Sequence, residues 1–337
     1  MNRRSHFSSR TGQLSIGCLS LCALIIILPL SARSKIELEH LKLSAPMRHD
    51  YRYDFDTRDV VRDRVQYQGS LSYGVRFYRG EEAGQLGLWG LLGTGNRYTS
   101  QWNTVANFND GTPGEHHLNM RQIYLQWQLK RWRAQLGVIP PVKGKVSETS
   151  LDKDGWIRGA RLILPMQAQG QLEWVAGVLD NLDDANAFQS WGALNYLEVE
   201  WTQSWDPHWR TELGGVHVDS ALILRSEVRY AQLYLLGGKS ELAAEVLRNT
   251  ANDVWAHDWS IAQRIGVVTV TNEYAYVPRE LGLLGSLSND FFTFGHLWVL
   301  GIKGPFFGDS RFYWFGRNYL GEQRVNFKLG VGVAMEH

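Results

Sequence analysis

The stretch from Arg64 to Phe77 alternates between hydrophobic and polar positions. Its odd positions are mostly apolar or aromatic, and its polar even positions are Arg64, Gln66, Gln68, Ser70, Ser72 and Arg76. Such alternation predicts a β-strand with two different faces. At about 3.3 Å per residue, the stretch exceeds the roughly 9 to 11 residues that a tilted strand needs to cross a membrane. We therefore expect water on its polar face and lipid on its apolar face.

The same period of two recurs along the chain. It is clearest from Gln122 to Lys130, from Trp132 to Val138 and from Arg324 to Met335. With a first strand around Tyr51 to Phe55, the sequence predicts about sixteen strands, within a range of roughly 14 to 18. Short and long connections alternate, as is typical of a transmembrane barrel. The predicted fold is all-β, an antiparallel transmembrane β-barrel with a water-filled lumen.

The N-terminus has the features of an export signal. Basic residues precede an apolar run from Leu19 to Leu30, and Ala32 offers a small residue at a cleavage site. A transmembrane anchor is the alternative, but the run is shorter than the roughly 20 residues required and contains Pro29. The predicted division of the chain is a signal peptide over 1–32, a periplasmic lead segment over 33–47 and an outer-membrane barrel over 48–337.

Charge and cysteine content narrow the class of protein. The 337 residues carry 35 basic and 34 acidic side chains, a net charge of +1, so no basic excess indicates nucleic-acid binding. Cleavage after Ala32 would remove three arginines and no acidic residue, leaving a charge of about −2. It would also remove Cys18 and Cys22, so the mature chain would have no disulfide. A closed ladder of hydrogen bonds in lipid would stabilise it instead, and no cofactor is expected.

Strand patterns that end in turn residues occur in five short segments between residues 60 and 165. They are Arg62-Asp63-Arg64-Val65-Gln66-Tyr67, Leu91-Leu92-Gly93-Thr94-Gly95-Asn96, Ile123-Tyr124-Leu125-Gln126-Trp127, Gln135-Leu136-Gly137-Val138-Ile139-Pro140 and Asp154-Gly155. In these segments the sequence resembles the porins of Gram-negative outer membranes and, more distantly, the phosphate-selective porins. The resemblance implies an outer-membrane barrel, often a homotrimer, that passes ions and small hydrophilic solutes. The chain departs from many such barrels at its end, Ala334-Met335-Glu336-His337, which lacks a final aromatic residue.

Alternation also predicts which side chains line the lumen. The N-terminal set is Arg64, Gln66, Gln68, Arg76, Gln122, Gln126, Gln128, Lys130, Arg133 and Gln135. The set from the middle strands is Glu198, Glu200, Arg210, Glu212, Glu241 and Glu245. Our hypothesis is a lumen that is basic on one wall and acidic on the other, with a transverse field acting on the solute. The alternative is a polar wall of solvated charges that neighbouring residues neutralise, with no part in selectivity.

The connection from Pro140 to Asp154 is a candidate constriction loop. Its charged residues are Lys143, Lys145, Glu148 and Asp152. If the loop folds into the barrel, these side chains would meet the solute; the alternative is an ordinary external loop.

Tryptophans near the predicted strand ends indicate aromatic girdles at the membrane surfaces. They are Trp89, Trp102, Trp127, Trp132, Trp156, Trp174, Trp201, Trp209, Trp298 and Trp314.

A few residues of the chain could instead support metal binding or catalysis. His116 and His117 could bind a metal, but loop histidines need convergent partners, which the sequence does not reveal. Asp54 with Asp56 could bind calcium, but their spacing lacks the Gly and the terminal Glu of a calcium loop. Gly69 to Gly74 lacks the spacing of a nucleophile elbow. The pairs His49-Asp50 and His257-Asp258 could supply acid and base groups, although neighbours on a strand point to opposite faces. The predicted function is a passive diffusion channel, and the alternatives are a nonconducting adhesive or structural barrel, a soluble exported β-protein and an outer-membrane hydrolase.

Overall fold

The computed structural model describes residues 36–80, 84–141, 151, 154–166, 169–218, 220–235, 238–282, 294–306 and 308–336. The predicted signal peptide lies outside these described residues. The elements within them are strands, apart from a 3-10 helix at Arg279–Leu281. No helix of this described part is long and apolar enough to cross a membrane. The predicted all-β fold is confirmed.

The strand segments are numbered in chain order. They are β1 (Glu37–Asp54), β2 (Asp59–Tyr67), β3 (Ser70–Gly80), β4 (Gly84–Thr94), β5 (Asn103–Asn107), β6 (Leu118–Leu129), β7 (Trp132–Ile139), β8 (Ile157–Pro165), β9 (Gly170–Val178), β10 (Tyr196–Ser204), β11 (Trp209–Val218), β12 (Ala221–Leu235), β13 (Gly238–Asn249), β14 (Val254–Ile265), β15 (Val268–Val277), β16 (Gly295–Phe306), β17 (Asp309–Gly321) and β18 (Arg324–Glu336).

The strands form one closed antiparallel sheet. β1 pairs with β18 from Lys42 opposite Glu336 to Asp54 opposite Arg324, which closes the ring. β2 and β3 occupy a single wall position because they pair with successive halves of β1. In the same way, β5 pairs with β2 and β4 pairs with β3, so β4 and β5 together occupy the next wall position. The 18 segments therefore give a barrel of 16 strands, as the sequence predicts.

The predicted strand from Arg64 to Phe77 is interrupted at Gln68 and Gly69, so the prediction of one unbroken strand is wrong. Pro46 on β1 has no amide hydrogen to donate across this point, although its carbonyl accepts from the Gln68 amide at 2.9 Å. The Gly69 amide donates to Thr94 Oγ1, and the Thr94 amide donates to the Gly69 carbonyl, both at 2.9 Å. Because of the break, β2 pairs with β5 and β3 pairs with β4 on the edge that faces away from β1.

The lead segment predicted over residues 33–47 is, from Glu37 onward, part of β1. Glu37 to Ser44 pair with residues of β3, and Lys42 to Met47 pair with residues of β18. The prediction of a separate lead segment is therefore wrong from Glu37 onward. Leu41, Leu43 and Met47 are exposed on one face of the strand, an alternation that is interrupted in the sequence by Pro46 and by charged residues. The barrel therefore begins about ten residues earlier than expected.

The two rims of the barrel differ in the length of their connections. Long connections over 95–117, which contains the short strand β5, and over 140–156, 179–195 and 278–294 join strands at one rim, called here the long-loop rim. Short turns such as 130–131, 205–208 and 266–267 form the opposite, short-turn rim. β1 starts and β18 ends at the short-turn rim, in agreement with an even number of strands.

The wall separates an apolar outer face from a polar inner face. On β10, Leu197 and Val199 are 45% and 47% exposed, whereas the intervening Glu198 and Glu200 are 3% and 7% exposed. The same alternation holds on β18, where Phe327 and Leu329 point outward and Lys328 inward. Apolar side chains on the outside and charges on the inside suit a barrel in a bilayer, because hydrocarbon would solvate the charges poorly.

Part of the interior is packed with apolar side chains, which alternation does not predict. Tyr196, Val216 and Leu247 lie on the inner face and are at most 3% exposed. They belong to one buried cluster with Leu179 and Leu281, which come from connections at the long-loop rim. These connections therefore pack against the inner wall and leave less of the lumen to water on this side.

Candidate functional site in the barrel interior

A set of cations, called here the basic wall, lies on the inner face of β17, β18, β1 and β2. Its members are Arg48, Arg52, Arg62, Arg64, Arg317 and Lys328. The strand register brings them together, since Asp50 lies opposite Arg64 on one side and opposite Lys328 on the other. The cross-strand spacing places Arg48, Arg62, Arg64 and Lys328 around one fully buried carboxylate, Asp50.

Asp50 neutralises only part of this charge. Its Oδ2 lies 2.9 Å from Arg64 Nη2, 3.5 Å from Arg62 Nη1 and 4.0 Å from Arg48 Nη2. Glu273 on β15 adds a second carboxylate, 3.2 Å from Arg317 Nη2. Among the residues that the structure describes, the basic wall therefore contains more cations than the two carboxylates that contact them, an arrangement that favours anions in the adjoining water.

The opposite region of the interior contains a carboxylate cluster, called here the glutamate hub. It consists of Glu200, Glu212, Glu227 and Glu245 around Arg225. Arg225 Nη1 donates to Glu200 Oε2 at 2.9 Å, and its Nη2 donates to Glu227 Oε2 at 2.6 Å. All five side chains are at most 7% exposed, so the hub is closed to solvent.

The register of β11, β12 and β13 explains the hub. Glu212 lies opposite Glu227, which lies opposite Glu245, and like charges in such a row repel. Arg225 shares their face and bonds to each of them, and Arg229 also contacts Glu212 and Glu227. The arginines convert the repulsive row into a compact ion network.

Most of the predicted lumen residues of β2, β3 and β6 lie on the inner face. Gln66 and Gln122 are buried, and Gln126 and Gln135 share a hydrogen bond of 2.8 Å. Arg64 contacts Asp50 in the basic wall. Gln68 lies at the break between β2 and β3 and donates to Gln101.

Other members of the predicted N-terminal set lie near the short-turn rim. Arg76 pairs with Glu37 and Glu39 there. Arg133 Nε donates a hydrogen bond to Gln128 Oε1 at 3.3 Å, in an exposed position. Lys130 adopts a positive φ in the turn between β6 and β7, so its assignment to a strand of the wall is wrong.

The predicted acidic residues of the middle strands also lie on the inner face, but within ion networks. Glu200, Glu212 and Glu245 belong to the hub, and Arg210 Nη2 lies 2.9 Å from Glu212 Oε1. Glu198 accepts a hydrogen bond of 2.8 Å from Tyr196. The remaining member, Glu241, follows the same alternation as Glu245 on β13.

Two cavities adjoin the basic wall. The smaller, of about 280 Å³, and the larger, of about 810 Å³, share the lining residues Gln68, Trp102, Asp154, Phe315 and Arg317. They are therefore contiguous. Within the described residues, none of the hub glutamates lines either cavity.

The connection after β4 reaches the basic wall, which sequence reasoning missed. Trp102 packs under Arg48, whose guanidinium carbon lies 3.9 Å from the indole ring centroid. Gln101 accepts from Gln68 on the opposite side of the cavity. No strand pattern marks these residues, and the only signal is an aromatic residue between polar ones in a long loop. The predicted constriction residues Lys143, Lys145, Glu148 and Asp152 lie outside the described residues, whereas Asp154 lines both cavities.

No protein-family model and no curated protein sequence matches the chain. Solved structures do match. OccAB4 of Acinetobacter baumannii aligns with a TM-score of 0.55 at 10% sequence identity, over 90% of this chain and 99% of that chain. The chain has a porin-type barrel fold. A variant Rh. blastica porin aligns with a TM-score of 0.54 at 8% sequence identity, over 88% of this chain and 100% of that chain. Pseudomonas aeruginosa OccK7 (OpdD) aligns with a TM-score of 0.54 at 11% identity, over 88% of this chain and 98% of that chain.

The tryptophans of this porin-type barrel divide between its two faces. Trp127, Trp132, Trp174, Trp209 and Trp298 are exposed on the outer face, as a girdle requires. Three other assignments are wrong: Trp89 points inward beside His40, Trp102 lies in the interior, and Trp156 is buried against Tyr98. Trp89 follows the alternation of β4, opposite Gly74 on β3, whereas Trp102 and Trp156 lie in long connections that place their side chains in the interior.

The histidine–aspartate pairs are split by the barrel wall. His49 points outward and bonds to Asp63 at 2.7 Å, whereas Asp50 points inward. His257 packs against Tyr274 and Tyr276 on the outer face, whereas Asp258 is buried on the inner face. Within the described residues, no three His, Cys, Asp or Glu side chains converge on a metal position, and His116 contacts Tyr67.

Proposed function

We propose that the chain is an outer-membrane diffusion channel for ions and small hydrophilic solutes. The observation that carries the proposal is the pair of contiguous cavities beside the basic wall, inside a closed barrel whose outer face is apolar. A barrel of this size holds water, and the charges on its wall select among the solutes that enter. The function uses no catalytic step and no cofactor.

The two walls have different roles in this proposal. The residues that border the cavities, among them Arg48, Arg317 and Lys328, face the solute and favour anions. The hub carboxylates pair with Arg225 and Arg229 and stabilise the barrel, so the transverse field is weaker than the sequence alone suggests. Predicted lumen residues such as Gln66 and Gln122 supply hydrogen bonds along the cavity side.

A homotrimer in the membrane is the oligomeric state included in the proposal. Its support is the resemblance to porins and the broad apolar outer face. Light scattering of the detergent-purified protein, corrected for bound detergent, gives the mass of the assembly. A monomeric mass across a range of mild detergents would contradict the trimer without affecting the channel.

The direct test is single-channel recording of the purified mature protein in a planar bilayer, with a salt gradient across it. We expect uniform conductance steps and a reversal potential that indicates anion preference. The matched control is the same preparation after heat denaturation. Folded, inserted protein that gives no steps would overturn the channel and favour a nonconducting structural or adhesive barrel.

A further inference from the structure

A β-bulge on β6 turns one extra side chain into the barrel. Gln122 lies opposite Leu91 on β4 and Met120 lies opposite Leu92, so that Arg121 is the extra residue of the bulge between them. Strict alternation after the inward Gln122 would turn Arg121 to the outer face. Instead Arg121 is fully buried. A bulge of this kind re-aims a side chain, often beside a functional site.

The guanidinium of Arg121 is surrounded by backbone carbonyl oxygens. Its Nη2 donates to the carbonyls of Arg97 and Tyr98 at 2.8 and 3.0 Å, and its Nη1 donates to that of Gly95 at 3.4 Å. Its Nε donates to the carbonyl of Asp154 at 3.0 Å. The first three acceptors belong to the connection after β4, and the fourth belongs to the connection before β8. Arg121 therefore fastens two long connections to the inner wall.

Aromatic rings cover this guanidinium. The guanidinium carbon of Arg121 lies 5.2 Å from the centroid of the Trp156 ring, and the ring centroids of Trp156 and Tyr98 lie 5.0 Å apart. Both rings are 1% exposed. Gly155 leaves the room that they need, because a Cβ at that position would collide with the Tyr98 ring. Hydrogen bonds shielded from water in this way are stronger than exposed ones.

The connection that Arg121 holds brings side chains to the solute path. The Thr94 hydroxyl donates to the Gln101 carbonyl at 2.6 Å, which ties the start of the connection to its inner end. The smaller cavity is lined by three residues of this connection, which are Thr99, Gln101 and Trp102. They follow directly after the carbonyls that Arg121 binds.

We propose that Arg121 is a positioning residue of the channel, which fixes the connection after β4 inside the barrel and thereby places Trp102 beside the solute path. The inference rests on the proposed channel function and deepens it. Arg121 is not among the residues that line either cavity, so it acts through the connection and not by contact with the solute. Without it, several buried carbonyl groups would lose a donor at once, and the connection would move to reach water.

The first test measures how often the connection leaves the inner wall. Cys18→Ser and Cys22→Ser remove the two cysteines of the chain, and Gln101→Cys then supplies a single thiol at a position that is 4% exposed. In folded, detergent-purified barrels, a small anionic methanethiosulfonate reagent should modify this thiol at least about tenfold faster when Arg121→Met is added. Tenfold is the loss expected for one hydrogen bond to a charged group.

A conservative variant tests whether the hydrogen bonds of the guanidinium matter. Arg121→Lys keeps the positive charge in the same place, but an ammonium group cannot span the carbonyls that the planar guanidinium reaches. Its rate of thiol modification should lie between those of the parent and of Arg121→Met. It also supplies a second variant if Arg121→Met folds poorly. A rate equal to the parent's in both variants would overturn the proposal.

Two controls separate positioning from a general loosening of the barrel. Arg225→Met removes a buried arginine that binds glutamates of β10 to β13, and it should leave the rate at Gln101→Cys within about twofold of the parent's, since distant sites act independently. A thiol introduced by Thr271→Cys, on the lining of the larger cavity, should react equally fast with and without Arg121→Met. Equal acceleration in either control would indicate general loosening and overturn the positioning role.

Single-channel recording measures the consequence for the path. The parent should show one open level, whereas Arg121→Met should show a severalfold larger variance of the open current, because Trp102 takes more than one position. Arg121→Lys should restore part of the steadiness. Faster thiol modification with an unchanged open current would overturn the positioning role and leave the channel. Faster modification in barrels that never conduct, the parent included, would overturn the channel and support Arg121 as the residue that holds the connection.

Discussion

The basic wall and the glutamate hub lie on the same sheet of antiparallel strands, but their charges have different surroundings. In the hub, four carboxylates close around Arg225, with Arg229 beside two of them. The basic wall contains six cations, of which Arg62 and Arg64 contact Asp50 and Arg317 contacts Glu273, and part of this wall borders two cavities. Charges that pair with one another in a closed network link neighbouring strands, whereas charges that border a cavity are positioned to act on a solute.

The difference originates in the spacing of acidic and basic residues on neighbouring strands. Arg225 lies one alternating position from Glu227 on β12, so it reaches carboxylates on both adjacent strands. Around Asp50 the neighbours on β2 and β18 are themselves cationic, and the other buried carboxylate of β1, Asp54, pairs with Arg324 instead. The same register rule therefore gives a closed network in one region and a charged surface in the other.

The largest effect is expected from removing the centre of the hub. Arg225→Met fills similar volume but leaves four buried carboxylates without their main partner, which should lower the free energy of unfolding by about 3–5 kcal/mol. Urea unfolding in detergent micelles, followed by tryptophan fluorescence, measures the change.

Arg210→Met is the matched control for that prediction. Arg210 is an arginine on the same inner face that contacts only Glu212 among the hub glutamates and is 43% exposed. Its loss should lower the free energy of unfolding by less than about 1 kcal/mol, as for other solvated ion pairs. Equal destabilisation by the two variants would mean that the hub is not the stabilising unit described above.

Ion selectivity should respond to the basic wall and not to the hub. Arg317→Gln removes a charge that borders both cavities, so the anion-to-cation permeability ratio should fall severalfold. Glu212→Gln removes a charge that is closed to solvent, and the ratio should stay near the parent value. Reversal potentials in a salt gradient measure both variants, and a large shift for Glu212→Gln would show that the hub faces the permeating solute.

Channel conductance should depend on the loop side chain at the basic wall. The indole of Trp102 packs under Arg48 and takes up space in the cavity. Trp102→Ala removes it, so the conductance should rise and the anion preference should strengthen. Trp209→Ala, on the outer face, is the control and should leave conductance unchanged. Equal conductance in Trp102→Ala and the parent would indicate that the path avoids this cavity.

The smallest effect is expected at a turn that belongs to neither wall. Asp206 accepts hydrogen bonds from the amides of Trp209 and His208, which lower its pKa. Its ionised form therefore stabilises the turn at neutral pH, and this contribution is lost as the pH falls through the lowered pKa. Asp206→Ala should be slightly less stable than the parent at pH 7 and equal to it in strong acid. Unfolding midpoints across pH test this, and a difference that persists in acid would point to another cause.

Local alternation accounts for what could be predicted from the sequence. It gave the all-β class, about sixteen strands and the face on which Glu198 and Glu200 lie, because side chains on a strand change sides at every residue. It failed where position depends on a distant partner. The strand is interrupted at Gly69, whose amide donates to the side chain of Thr94. Trp102 and Trp156 lie in the interior because the loops that contain them pack there.

The sequence by itself determined which residues are apolar or charged and how they alternate, and this is enough to specify a two-faced wall. Only the tertiary structure decided that Arg225 meets carboxylates from β10, β11 and β13, and that Asp50 meets cations from β1 and β2. The reason is that register couples residues far apart in the chain. A shift of one residue would turn every such side chain to the other face, and no local pattern records it.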